Sequence, residues 1–119
     1  MSYQNGNSGF GHTVPALFVI TSDMRIFEKS GERNQGWVDG GLFAMALVYA
    51  LHALGLGACM LNWSQDHDQD DALRAAFEIP DSQGVITMLA VGEIPDDLLV
   101  AQSPRRPVGD VFLPLTPKG

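Results

Sequence analysis

One segment, residues 37–54, constrains the fold most, because it predicts a helix with no polar face. Asp39 lies near its N-terminus and Gly55 follows it as a left-handed cap. Apolar side chains cover every side of this helix: Leu42, Phe43, Met45, Leu47, Val48, Tyr49 and Leu51. A helix that is apolar all round must be covered all round. A chain of 119 residues has little material for this, so we expect Leu47 and Leu51 to be fully buried and a partner subunit, a missing domain or both to cover the helix.

The other regular elements predict a small domain that mixes helices and strands. Apolar, β-prone segments lie at residues 16–21, 58–62 and 84–92, and the first is typical of a strand buried on both faces. A second helix is predicted over residues 70–78, because Pro80 stops it.

We divide the chain into three parts. Residues 1–14 are a glycine-rich loop, residues 15–95 form the core, and residues 96–119 form an extended C-terminal arm. Prolines interrupt the arm at positions 104, 107, 114 and 117. Such a tail seldom packs on its own chain as regular structure, so one interpretation is an arm that reaches across a partner.

The net charge excludes some classes of partner. A charge of -7 and a pI near 4.6 argue against nucleic acid or an anionic membrane surface, since both require a basic patch. Cys59 is predicted to be a small buried hydrophobic residue. The first residues do not resemble a secretory signal, and the apolar run over residues 42–51 is too short to span a bilayer. We therefore expect a cytoplasmic protein that does not enter a membrane.

The acidic loop at residues 66–71 could suggest a metal site, but its pattern does not support one. Counted from Asp66, an EF-hand requires glycine at its sixth position and glutamate at its twelfth, where this chain has Asp71 and Phe77. Acidic residues before a helix are explained by the helix dipole. The histidines have no serine or cysteine in a nucleophile-elbow context, so neither metal ligands nor catalytic side chains are predicted.

Two other features leave alternatives open. The pair Arg105 and Arg106 either binds phosphate through its planar guanidinium groups or is a solvated surface pair. Asn62 and Trp63 end a predicted strand, and they either line a pocket mouth or lie as an amide beside a tryptophan at the edge of the core. From the residues alone, the second interpretation is favoured in both cases.

Three segments, in this order and spacing, resemble the nitroreductase family. Residues 39–59 are similar to the family's long core helix and its glycine-containing exit into a strand. Residues 89–95 are similar to its glycine and proline strand end, and residues 103–111 to its arginine-x-proline tail. In addition, residues 31–35 and 61–63 resemble nitroreductase-like proteins found with polysaccharide biosynthesis.

The resemblance implies a fold, a cofactor and a reaction. The fold is α+β and partial: a mainly antiparallel sheet packed on a long buried central helix, with an extended C-terminal arm. The family forms obligate homodimers with exchanged arms and FMN at the interface. FMN takes hydride from NAD(P)H and passes it to an electron-poor acceptor, so no catalytic side chain is required.

The resemblance also implies which residues bind the cofactor. Residues 60–63 fall where the family's chain passes the flavin ring near N5, and Arg105 matches the arginine that contacts the phosphate, with Arg106 as the alternate. Ser103 stands where some members have a basic residue, which weakens this phosphate site. The implied cofactor-binding residues are Met60, Leu61, Asn62, Trp63, Arg105 and Arg106.

The front of the family pattern is missing from this sequence. The arginine-serine-x-arginine segment that holds the phosphate and ribityl chain has no counterpart, and neither do the first helices. We therefore expect a chain that relies on a missing N-terminal portion or a partner subunit, and that by itself binds FMN weakly or not at all and is inactive. The alternative is a non-catalytic, flavin-free remnant or partner subunit that retains only the dimer-forming core.

Overall fold

A computed structural model describes residues 3–115 and 117 of the chain. Within these residues a three-stranded antiparallel sheet has the order β1-β3-β2, formed by β1 (Ala16–Asp23), β2 (Leu56–Asn62) and β3 (Gln83–Glu93). The helices are α1 (Gln35–Ala53), α2 (His67–Phe77) and the four-residue α3 (Val108–Val111). Two short 3-10 turns, Met24–Ile26 and Ser30–Glu32, lead from β1 to α1. The predicted α+β fold with a mainly antiparallel sheet is confirmed.

The central strand β3 is the most deeply buried element of the sheet. It pairs with β1 on one side and with β2 on the other, and Val85 and residues 87–91 are all buried. The expectation that the first strand is buried on both faces is wrong, since Phe18 in β1 remains 42% exposed. β1 lies at the edge of the sheet, and its apolar sequence gave no indication of that position.

The two faces of the sheet carry separate core clusters. On one face Leu89 and Val91 of β3 pack with Ala44 and Leu51 of α1. On the other face Met88 and Ala90 pack with Leu73 of α2. Aromatic and aliphatic residues from the N-terminal loop also pack against this second cluster, namely Tyr3, Phe10 and Val14.

Helix α1 presents its small residues to the sheet. Gly36, Gly40 and Ala44 are buried and follow each other at intervals of four, so they lie on one side of the helix. A Cβ atom added at Gly40 would lie 2.6 Å from Cγ1 of Ile86 in β3. The absence of a side chain at this position is therefore what allows α1 to approach the sheet closely.

Four large apolar side chains of α1 form a stripe that points away from the sheet. Val38, Leu42, Met45 and Tyr49 follow at intervals of four, three and four residues, and they are 52%, 67%, 40% and 67% exposed. Leu51 is buried as predicted, but Leu47 is only partly buried within the chain. The chain thus covers one side of its apolar helix and leaves the opposite side open.

The 24-residue segment Ser30–Ala53 is long and apolar enough to cross a membrane, judged by length and composition alone. The expectation that no segment is long enough, based on residues 42–51, is therefore wrong. Core helices of soluble proteins meet the same criterion. Here Gly40 and Ala44 of α1 pack against the sheet on one side, while only 22% of the apolar part of this segment is buried.

Helix α2 begins three residues earlier than predicted because Asp66 caps it. The Asp66 carboxylate accepts a hydrogen bond from the Gln69 main-chain N–H at 3.0 Å, which fixes the first turn at His67. The helix ends at Glu78, whose φ of 52° is left-handed. Beyond β3, residues 96–115 are exposed.

Candidate functional site

The end of β2 carries four of the six candidate cofactor-binding residues. Met60 pairs with Leu89 of β3, so it lies on the α1 side of the sheet, where its side chain is 47% exposed. Leu61 points to the opposite side and is 5% exposed in the second core cluster. Asn62 is exposed and Trp63 is partly buried. Met60 and Asn62 are therefore accessible to a ligand, whereas the Leu61 side chain can act only as an anchor.

Side-chain donors from distant parts of the chain hold the main chain here. Oγ1 of Thr87 donates to the Leu61 carbonyl at 2.7 Å. Nε2 of Gln4 donates to the Asn62 carbonyl at 3.1 Å. Two successive carbonyls are thus fixed from outside the strand, which makes this stretch of main chain well ordered for binding.

The indole of Trp63 belongs to a polar network centred on Asp70. Nε1 of Trp63 donates to Asp70 at 2.9 Å, and Nε of Arg74 donates to the other carboxylate oxygen at 2.5 Å. Burial raises the pKa of Asp70, but the hydrogen bonds from Arg74 and Trp63 outweigh it, and the net pKa is lowered. Arg74 also donates to the Gln83 carbonyl at 2.7 Å. Asp70 therefore ties Trp63 to α2 and, through Arg74, to the start of β3.

The two candidate arginines lie in the exposed arm and make local hydrogen bonds. Nη1 of Arg105 donates to Oγ of Ser103 at 3.3 Å, and Nη2 of Arg106 donates to the Asp110 carbonyl at 3.0 Å. Between residues 3 and 115, hydrogen bonds join neither arginine to residues 60–63. Each guanidinium has five N–H groups, so both keep donors for a further ligand. The structure thus brings residues 60–63 together and leaves the arginines apart from them.

A groove of about 740 Å³ lies on the other face of the sheet, beside the second core cluster. Its walls come from the N-terminal loop, β2, β3 and the start of the arm, including Phe10, Cys59, Ala90 and Leu98. None of the six candidate residues lines this groove. Cys59 is exposed here, so the prediction of a buried cysteine is wrong: β2 is an edge strand, and this side of it is not covered.

Sequence reasoning missed the residues that support the site. Asp70 was interpreted as one of several acids at a helix start, whereas it connects Trp63 with Arg74. Gln4 lies in a polar, glycine-rich loop and meets its partner 58 positions away, so no local pattern marks it. Among the described residues there is no group of three or more side chains suited to a metal ion.

The sequence profile of the nitroreductase family matches residues 2–93 of this chain. No curated protein sequence gives a match. Solved structures with a similar fold include nitroreductase CinD from Lactococcus lactis in complex with nicotinic acid. This chain matches it with a TM-score of 0.67 and 17% identity over 84% of its own residues and 55% of that chain.

Two further structures give the same result. An FMN-dependent nitroreductase from Clostridium difficile R20291 matches with a TM-score of 0.68 and 19% identity, over 91% of this chain and 62% of that one. A nitroreductase-like family protein from Bacillus cereus matches with a TM-score of 0.68 and 14% identity, over 87% and 52%. The chain therefore spans between 52% and 62% of the length of these proteins.

Proposed function

Because the chain belongs to the nitroreductase family, we propose that it forms one side of an FMN site in a homodimeric flavoprotein. When bound, FMN would supply the chemistry, which is transfer of hydride from NAD(P)H to an electron-poor acceptor. The protein's own part is to position the flavin and to keep its surroundings fixed. One observation carries the proposal: side chains outside the strand donate hydrogen bonds to the main-chain carbonyls of both Leu61 and Asn62. These are positions that the family resemblance assigns to the flavin.

The chemistry of the residues at the end of β2 suits a flavin ring. Met60 offers a half-exposed apolar side chain, and the neighbouring Asn62 offers an exposed amide. Binding pockets for flat aromatic ligands combine apolar surface with a few placed polar groups. Both carbonyls already accept a hydrogen bond, so we expect the main-chain contacts of this segment with the ring to come from its N–H groups.

The arm supplies the groups that suit a phosphate. Arg105 and Arg106 are cations in an acidic chain, and each retains unused N–H donors. A guanidinium pairs with a phosphate through two parallel hydrogen bonds. We propose that Arg105 contacts the FMN phosphate in the assembled protein, with Arg106 as its alternate, once the arm lies against a partner subunit.

The outward side of α1 is the surface that we assign to the second copy. Its stripe of Val38, Leu42, Met45 and Tyr49 leaves large apolar side chains open to solvent. A contiguous exposed apolar patch of this kind marks an interaction surface. Spacings of four and three residues also suit packing against a second helix, so a two-fold contact between two α1 helices covers the stripe.

One observation favours the alternative, a flavin-free subunit that retains only the dimer-forming core. Arg105 and Arg106 form their hydrogen bonds within the arm, to Ser103 and Asp110, and not with residues 60–63. The alternative predicts a colourless, dimeric protein. The proposed function predicts that flavin binds, although weakly in this chain alone.

The test is a titration of FMN against the purified chain, followed by flavin fluorescence and by visible absorbance. Losing a charged hydrogen bond costs about 1.5–3 kcal/mol, so Arg105→Ala should weaken binding about 10- to 100-fold. Arg106→Ala should have a smaller effect, and Arg33→Ala, an exposed arginine outside the arm, serves as the matched control. Asn62→Ala should change the reactivity of the flavin more than its affinity.

The possible outcomes separate the hypotheses. Tight binding that Arg105→Ala leaves unchanged would refute the phosphate assignment. Tight binding of any kind would refute the expectation that this chain alone binds FMN weakly. A folded dimer that gives no flavin signal at millimolar FMN would favour the flavin-free alternative.

A further inference from the structure

We infer that Gln4 is a positioning residue of the proposed flavin site, which it serves by holding the peptide between Asn62 and Trp63. The inference rests on the proposed function. Gln4 is only 7% exposed, although it lies in a polar loop before β1. Its Nε2 donates to the Asn62 carbonyl at 3.1 Å, and this contact is part-buried.

The chemistry of the contact fixes the orientation of the Gln4 carboxamide. The Asn62 carbonyl is an acceptor, so only the NH₂ group of Gln4 can face it; the flipped amide would place two acceptors against each other. Oε1 of Gln4 is buried and has no hydrogen-bond partner in the described part of the chain. A buried acceptor without a partner is unfavourable. The contact with the Asn62 carbonyl therefore determines where the Gln4 side chain lies, even though this position leaves Oε1 of Gln4 without a hydrogen bond in the described part of the chain.

Holding the Asn62 carbonyl also sets the direction of the Trp63 N–H. The peptide group is planar and trans, so its C=O and N–H point in opposite directions. Thr87 holds the preceding carbonyl, and Asp70 holds the indole that follows. With both neighbours fixed, Gln4 holds the peptide between them, and a ligand reaches the Trp63 N–H from the side opposite to Gln4.

A neighbouring contact separates this role from simple attachment of the N-terminal loop. Nδ2 of Asn5 donates to Oε1 of Gln65 at 2.9 Å, so it joins the same loop to the same region of the chain. That bond is exposed and involves two side chains, so it does not orient a peptide group. Asn5→Ala is therefore the matched control for any effect of the loop alone.

The experiment compares the full-length wild-type chain with Gln4→Met, Gln4→Glu and Asn5→Ala. FMN affinity, the absorption spectrum of the bound flavin and its midpoint potential are measured for each. Gln4→Met keeps the length of the side chain but removes the donor, so FMN affinity should fall about 3- to 10-fold, as expected for one neutral hydrogen bond, and the spectrum and potential should shift. Asn5→Ala should match the wild type in all three measurements.

The Gln4→Glu variant adds a test that does not depend on how well Gln4→Met folds. Ionised glutamate only accepts hydrogen bonds, whereas protonated glutamate can donate one to the Asn62 carbonyl. Gln4 is buried, and burial raises the pKa of a carboxyl group above its ordinary value of about 4.3. This variant should therefore resemble Gln4→Met at pH 8 and recover towards the wild type as the pH falls to about 5, measured relative to the wild type at each pH. An effect of equal size at both pH values would overturn the inference.

Two results distinguish a failure of this inference from a failure of the proposed function. If the wild type binds FMN and Gln4→Met retains its affinity, spectrum and potential, Gln4 has no positioning role and the proposed function stands. If the wild type gives no flavin signal at millimolar FMN, the proposed function and the role of Gln4 both fail.

Discussion

Replacing Gly40 by alanine tests the close contact between α1 and the sheet. The new Cβ would lie 2.6 Å from Cγ1, 3.0 Å from Cγ2 and 3.2 Å from Cβ of Ile86. Carbon atoms in favourable contact lie about 3.5–4.0 Å apart, so the closest pair is short by about 1 Å. Rotating the Ile86 side chain does not move its Cβ, so α1 or β3 must shift. Overpacking of this kind costs about 1–3 kcal/mol.

The adjacent Gly41 provides the control for this substitution. Nothing lies within 4 Å of a Cβ added there, because Gly41 faces outward. Alanine stabilises a helix relative to glycine by about 1 kcal/mol at either position. Gly41→Ala should therefore be neutral or stabilising, and Gly40→Ala should be the less stable variant by about 1–3 kcal/mol, since the propensity terms cancel.

Urea denaturation followed by circular dichroism and tryptophan fluorescence measures this difference, with every variant at the same protein concentration. Ile86→Ala removes both γ carbons, so the penalty of Gly40→Ala should shrink in the double variant. Equal stabilities for Gly40→Ala and Gly41→Ala would show that α1 does not pack on the sheet through this glycine.

Three further tests address the rest of the structure. Leu42→Lys places a charge on the outward side of α1 and should dissociate the proposed homodimer in light scattering, whereas Ala75→Lys on the exposed surface of α2 should not. A wild type that is a stable monomer at micromolar concentration would refute the proposed interface. Leu51→Ala should lower the free energy of unfolding by about 2–5 kcal/mol. Leu47→Ala should lower it by less, because Leu47 is only partly buried. Equal losses for the two variants in urea denaturation would contradict this. Because the pKa of folded Asp70 is lowered below its unfolded value of about 3.9, Asp70 stabilises the fold above that pH and this stabilisation is lost as the pH falls through the folded pKa. Asp70→Asn should therefore flatten the acid limb of stability against pH, and an acid limb that keeps its shape in this variant would contradict the contribution of Asp70.

The elements of the fold were largely predictable because they depend on local patterns. The apolar run over residues 37–54 predicted α1 to within two residues at each end, and continuous β-prone runs located all three described strands. The order of the strands was not predictable from these runs. The sequences of β1 and β3 are both apolar, but of these two strands only β3 pairs with another strand on each side.

The candidate site was predictable only where a family pattern marks it. Residues 60–63 lie together because they are consecutive, so any correct alignment finds them. The groups that fix them come from Gln4, Thr87 and Asp70, at separations of 58, 26 and 7 positions from their partners. Such partners are set by tertiary packing. The side of α1 that faces the sheet could not be predicted either, since every side of the helix is apolar and the adjacent Gly40 and Gly41 face in different directions.

The sheet order also determines how this protein behaves at high concentration. β2 is an outer strand, and its seven residues, LGACMLN, include neither a charged residue nor a proline. Charges and prolines on outer strands are the usual means of preventing two sheets from joining edge to edge. Short uncharged segments of this kind can stack into ordered aggregates. Preparations of the chain should therefore lose soluble material as they are concentrated, and a lysine introduced at the exposed Cys59 should reduce the loss without altering the fold.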